Sequence, residues 1–167
     1  MARQLWLLRH AEAEPHGTRP DHERRLTPRG EEQARAAGLA LRRLDVRFAE
    51  ILYSPKERAR RTAELAAEAF TPAQRKRMRE HPPLAGGFAA GEVLELLPGA
   101  AADARLLLVG HEPDLSRLAC ELTGARVDLK KGGLAALRLE GGASGELVLV
   151  MRPRELAGIA AVPAGGE

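Results

Sequence analysis

The sequence predicts an α/β fold, a three-layer α/β/α sandwich on a mostly parallel central sheet. Three observations predict it. Short apolar runs at QLWLLR (4–9), EILYS (50–54) and ARLLLVGH (104–111) are separated by stretches with apolar residues at helical spacing. Strands separated by helices pair in parallel and are covered on both faces. The last two apolar runs, LAALRLE (134–140) and GELVLVMR (145–152), are bracketed by Gly141-Gly142 and Gly145, which predicts a closing hairpin.

QLWLLR holds no turn-former and reads as a buried strand ending at Arg9-His10. Residues 11–28 contain Pro15, Gly17, Pro20 and Pro28 and read as a polar loop. Thr27 can cap the next helix and Pro28 can fill its first turn, with Ala34, Ala37, Leu41 and Leu44 on its apolar stripe. EILYS is the second strand and the Ala-rich KERARRTAELAAEAF (56–70) the second helix. Residues 71–87 form a loop with one short strand near Arg79. GFAAGEVLELLPG (87–99) contains a helix stopped near Pro98-Gly99. ARLLLVGH is the strongest strand, and DLSRLACELTG (114–124) is a helix closed by Gly124. One domain is expected over residues 1–160, with 161–167 as a frayed tail.

The 167 residues are enough to bury a sizeable core. Lys and Arg number 26 against 23 Asp and Glu, and the arginines are spread along the chain. That is a mixed-charge surface without the basic stripe of a nucleic-acid binder. Asn is absent, which fits a heat-adapted source and a GC-rich genome equally. The single cysteine, Cys120, precludes an internal disulfide and suits a reducing, cytoplasmic setting. It lies in an apolar helical pattern and is expected to be a packed core thiol. No segment has the roughly 20 apolar residues that span a bilayer, so no membrane partner is expected.

Open parallel sheets bind ligands beyond the carboxyl ends of their strands. Here the first strand ends in Arg9-His10 and the ARLLLVGH strand in Gly110-His111. The second ends in Ser54-Pro55, with Arg58 in the helical turn that follows. One topological rule thus gathers two arginines and two histidines. Arginine forks match phosphate oxygens. A histidine among arginines is held neutral and nucleophilic. The set predicts metal-independent phosphoryl transfer with no cofactor, because clustered arginines repel a cation and the histidines lack ligand spacing.

LLRHAEAE, RRLTPRGEEQA, SPKERARRTAE and LLLVGHEPDL resemble, in that order and spacing, the motifs of the histidine phosphatase superfamily, the branch that includes phosphoglycerate mutases. The resemblance covers roughly residues 3–124 and implies a phosphoglycerate mutase-like fold with minimal insertions. The short interval between the second and third motifs, KKGGLAAL and the closing RPREL are similar to SixA-type phosphohistidine phosphatases. The resemblance implies that His10 is the nucleophile, that Arg9 and Arg58 clamp the phosphoryl group and that His111 donates to it. Arg24 is either a further phosphate contact or a surface arginine. Ser54 is expected to shape its strand end. Glu12, Glu14 and His16 either line the mouth or belong to a solvated loop.

Larger relatives carry an acidic residue between the second and third motifs that protonates a departing alcohol. REHPPLAGGFAAGEV offers Glu80 and Glu92 without a clear match. Phosphohistidine needs no such acid, because its imidazole can carry its own proton and leave as a neutral ring. The expected substrate is therefore phosphohistidine on a protein, of the histidine phosphotransfer or phosphocarrier type. The alternatives are a small phosphate ester, with Glu80 or Glu92 as acid, and a non-catalytic phosphate-binding protein.

Overall fold

Alternation along one strand sets the architecture. In the computed structural model, which describes residues 2–141 and 144–163, strand β1 (Arg3–Arg9) sends Leu5 and Leu7 to one face and Trp6 and Leu8 to the other. Both sets are buried, so the strand must be covered on both sides.

β1 is followed by helix α1 (Pro28–Arg43), β2 (Glu50–Tyr53) and α2 (Glu57–Ala67). Then come the short α3 (Pro72–Arg75), β3 (Met78–Glu80), α4 (Ala90–Leu96) and β4 (Arg105–Gly110). α5 (Asp114–Thr123), β5 (Leu134–Glu140), β6 (Ser144–Met151) and α6 (Pro153–Ala161) complete the order. The six strands run β3-β2-β4-β1-β5-β6. The first four pair in parallel, and β5 and β6 add antiparallel. This is the expected mostly parallel sheet with its closing hairpin.

On one face Leu5, Leu7, Leu106 and Leu108 meet Val93 of α4 and Leu115, Leu118 and Leu122 of α5. On the other, Trp6, Leu8, Leu107 and Val109 meet Ala37 and Leu41 of α1, Ala63 of α2 and Leu156 of α6. α1 starts as expected: Thr27 Oγ1 accepts the Gly30 amide at 3.0 Å and Pro28 stands in the first turn.

Several features differ from the sequence expectation, the short α3 inside the stretch expected to be a loop among them. α6 was not anticipated, because most of the apolar positions in PRELAGIAA are small alanines that mark no clear stripe; its Pro153 start and buried Leu156 fix it against the sheet. Its last residue, Ala161, lies in the stretch assigned to a frayed tail, whereas residues 164–167 lie outside the described residues. So does Gly142, expected in the hairpin turn. Cys120 is exposed rather than packed. The α5 stripe Leu115, Leu118, Ala119 and Leu122 takes the core-facing side and rotates Cys120 to solvent.

Gly30 lets α1 approach the segment after His10. An added Cβ there would stand 1.9 Å from the Glu12 carbonyl oxygen. Gly30→Ala is expected to cost about 1–3 kcal/mol through overpacking. Urea denaturation checks it, and an unchanged midpoint would contradict the close approach.

Candidate active site

Sheet register brings the predicted residues together. β1 pairs with β4 so that Arg9 lies beside Gly110, which puts His10 next to His111. The His10 amide donates to the Gly110 carbonyl at 2.9 Å, and the two imidazole centroids are 5.2 Å apart. β2 pairs with β4 through Tyr53 and Val109, placing Ser54 on the same edge. Arg58 projects from the first turn of α2. His10, Arg24, Arg58 and His111 are all buried, and with Arg9 they line a cavity of about 500 Å³.

The tautomer of His10 follows from its partners. Nδ1 lies 2.8 Å from the Ala11 carbonyl oxygen, which can only accept, so Nδ1 carries the hydrogen. Nε2 is left with its lone pair, and Arg58 Nε stands 3.4 Å from it as a donor. Thr62 supports this arrangement from α2. Its hydroxyl accepts the Ala11 amide at 3.1 Å and donates to the Arg58 carbonyl at 2.7 Å. On the neighbouring strand, Ser54 Oγ lies 2.7 Å from His111 Nε2 and accepts the Lys56 amide. Ser54 thus holds the second histidine, which gives its strand-end position a specific purpose.

Two buried nitrogens of the site residues have no partner among the described residues: Arg9 Nε, a donor, and His111 Nδ1, a donor when Nε2 accepts from Ser54. Arg9 is otherwise anchored by Nη1 donating to the Leu129 carbonyl at 2.8 Å. Unpaired buried donors are costly in a folded protein. An anion with several oxygens is the kind of group that satisfies them.

Asp21, which the sequence did not single out, is the hub of the remaining cations. Its carboxylate accepts from Lys56 Nζ at 3.0 Å, Arg24 Nη2 at 3.0 Å and Arg58 Nη2 at 3.3 Å. Its carbonyl accepts from Arg58 Nη1 at 2.7 Å. Hydrogen bonds from Lys56 and Arg24 and the charge of Arg58 hold the carboxyl well below the usual range. Arg24 also donates to the Glu14 carbonyl at 2.8 Å, so it both lines the cavity and braces the loop. The D-x-x-R spacing of Asp21 and Arg24 just before LT was the available signal.

Glu12, Glu14 and His16 line the cavity, together with Glu112 and Lys131. The loop that carries them is packed, with Ala11, Ala13 and Leu26 buried against Ala34 and Leu65. Glu80 and Glu92 are not among the lining residues. Glu80 is exposed at the end of the edge strand β3. Glu92 Oε2 accepts the Ala89 amide at 2.7 Å and so caps α4. Among the described residues no cluster of His, Cys, Asp or Glu is gathered to hold a metal ion. No helix there is long and apolar enough to cross a membrane.

Burial pushes the His10 imidazole down to about 3, and the neighbouring His111, Arg58 and Arg9 push the same way. Burial and the charges of Arg58 and Lys56 take His111 down to about 3 as well. Both rings are therefore neutral in the folded chain at neutral pH. In the unfolded chain they titrate near 6.5. Between those values the unfolded state binds more protons, so stability falls as the pH drops from about 6.5 toward 3. These groups impose no slope above that window. Each ring contributes at most about 1.4 kcal/mol per pH unit. Urea denaturation at pH 7 and 5 should show the loss, reduced in His111→Ala; a flat profile would contradict neutral burial.

The comparisons with known proteins agree with this geometry. Residues 5–83 match the family model of the histidine phosphatase superfamily (branch 1). An uncharacterized protein of Picosynechococcus is 34% identical over 169 residues, covering 92% of this chain and 98% of its own. A structure described as the putative phosphohistidine phosphatase SixA from Nakamurella multipartitia is 30% identical with a TM-score of 0.74, covering 92% of this chain and 97% of that one. The protein histidine phosphatase SixA complexed with tungstate gives a TM-score of 0.79 at 24% identity, over 92% of this chain and 99% of its own. With its motifs gathered at one sheet edge and these relatives matched along nearly its whole length, the chain belongs to the histidine phosphatase superfamily, branch 1.

Proposed function

We propose that this protein is a phosphohistidine phosphatase whose intermediate is a phosphohistidine on His10. The observation that carries the reading is the unprotonated Nε2 of His10, with Arg58 Nε 3.4 Å from it and the His111 ring centroid 5.2 Å from the His10 centroid. In the first step the Nε2 lone pair attacks phosphorus and the bond from phosphorus to the substrate imidazole breaks. That imidazole, protonated on its other nitrogen beforehand, leaves as a neutral ring. In the second step water attacks the phosphorus of phosphorylated His10. Inorganic phosphate departs and Nε2 regains its lone pair.

Arg9, Arg58 and His111 hold the equatorial oxygens, and their donors act most strongly where charge develops in the transition state. Ser54 donates to His111 Nε2 in this scheme, which leaves the His111 hydrogen on Nδ1 for a phosphoryl oxygen. Burial supplies a neutral nucleophile without a separate base.

No dedicated acid is required for an imidazole leaving group. Glu80→Gln and Glu92→Gln are accordingly expected to keep turnover within about twofold of the parent. A loss of a hundredfold in either would restore the monoester reading. One observation does favour that second reading: Glu12 and Glu112 carry carboxylates on the cavity wall. Glu14 is a poor acid, since the Arg25 amide and Arg19 hold it below the usual carboxylate range.

The test is a comparison of hydrolysis rates on a protein phosphorylated on histidine and on a panel of phosphate monoesters, with a chelator present and His10→Ala as blank. Preference for the phosphohistidine protein is expected. Preference for one monoester, abolished by Glu12→Gln or Glu112→Gln, would overturn the reading.

A further inference from the structure

A second groove adjoins the catalytic cavity. It has a volume of about 460 Å³ and lies between α1 and α6. Ala36, Pro153 and Ala157 line it together with the cations Arg29, Lys130, Arg152 and Arg154. Glu32 is the one carboxylate on that wall.

The two concavities share a boundary. Lys131 lines the catalytic cavity and Lys130 the groove. The segment bearing them is strapped to the nucleophile: the Gly132 amide donates to the carbonyls of Arg9 and His10. Thr27 and Arg29, at the start of α1, likewise fall one on each side. Glu12 on the catalytic side stands 3.7 Å from Arg29 on the other.

The charges along this path are unevenly compensated. Arg29, Lys130 and Arg152 each pair with an exposed or half-exposed carboxylate, Glu12, Asp128 and Glu155. Such solvent-exposed pairs are weak and exchange readily for another anion. Lys131 and Arg154, both exposed, have no ion pair among the described residues. A cationic rim over an apolar floor complements a segment with acidic residues on one side and small apolar ones on the other. A small phosphate ester would fill the catalytic cavity and leave this groove untouched.

We infer that the α1/α6 groove docks an acidic, amphipathic segment of the phosphoprotein whose phosphohistidine enters the catalytic cavity. The inference rests on the phosphohistidine reading for its substrate and on the groove for its recognition. The consequence is a split between substrates: a protein uses the groove, and free phosphohistidine does not.

The probe for binding is a fluorescent peptide with Glu and Leu at helical spacing, measured by anisotropy against the whole protein. The variant is Lys130→Glu/Arg154→Glu, which leaves every residue of the catalytic cavity in place. Weakening of peptide binding by about tenfold or more is expected, as is inhibition by the peptide of phosphoprotein hydrolysis but not of free phosphohistidine hydrolysis. The variant should raise KM for the phosphoprotein with kcat unchanged, and leave both constants for free phosphohistidine as they were. Absence of peptide binding would overturn the inference. So would equal losses on both substrates, or a preference of the groove for anionic vesicles over the peptide. If the peptide binds through the groove but no phosphohistidine substrate turns over, the functional reading fails while the docking surface stands.

Discussion

His10→Ala is expected to lower turnover by on the order of ten-thousandfold or more while phosphorylated substrate still binds. The size follows from the role. In the proposed route His10 forms the covalent bond, so its removal would abolish both steps, and other nucleophilic enzymes lose that much or more. Retained binding follows from the structure, because Arg9, Arg58 and His111 are fixed by partners other than His10. Arg9 is held by the Leu129 carbonyl, Arg58 by Asp21 and His111 by Ser54. The pairing of lost turnover with kept affinity also separates an enzyme from a phosphate-binding protein. Single-turnover kinetics and equilibrium binding on the same variant check both halves. Residual turnover within a hundredfold of the parent would place the nucleophile elsewhere.

Arg58→Lys is expected to lower kcat by about a hundred- to a thousandfold, the range found when a preorganised donor to a developing oxyanion is removed. Charge is conserved in this substitution, so the loss would come from geometry. Arg58 reaches in three directions: Nε toward His10, Nη1 to the Asp21 carbonyl and Nη2 to the Asp21 carboxylate. A lysine ammonium is one point on a flexible stem and cannot hold all three. Asp21→Asn isolates the role of the hub. It keeps the size of the side chain but removes the charge that offsets Arg24, Lys56 and Arg58. A kcat loss of roughly tenfold is expected, smaller than for Arg58→Lys, since Asp21 acts through Arg58. Steady-state kinetics at several pH values measure both variants. An Arg58→Lys enzyme with full kcat would show that the fork is dispensable.

How much of this was legible in the sequence depended on the kind of signal. β1, β2 and β4 were readable because a strand buried on both faces must be apolar at nearly every position. The ends of β1 and β4 were readable for the same reason: Arg9-His10 and Gly110-His111 interrupt the uncharged stretches 4–8 and 106–109. α6 was not, since Leu156 is its one fully buried residue and Ala and Gly fill much of the rest. Cys120 was misplaced because Ala and Cys blur an apolar stripe of only a few positions, and the true stripe is set by where the sheet lies.

At the site, the four central groups were legible from topology, and the network that tunes them was not. Asp21 sits in a loop of prolines and charges where no periodicity fixes a direction. Its meeting with Lys56 and Arg58 spans more than thirty residues of sequence. Ser54 could be placed at a strand end, but its bond to His111 depends on the β2–β4 register. Glu12, Glu14 and His16 came to line the cavity because Ala11, Ala13 and Leu26 bury beneath them. That small satellite core carries no signature beyond three scattered apolar residues.

The central claim is that phosphorus passes through Nε2 of His10. It is tested most directly by quenching the protein in denaturant during turnover of a radiolabelled phosphohistidine protein, then mapping the bound phosphate by peptide mass spectrometry. An acid-labile, base-stable phosphate on the peptide containing His10, attached at Nε2 and absent from His10→Ala, is the expected result. Label on His111 or another residue, or full turnover by His10→Ala, would contradict it.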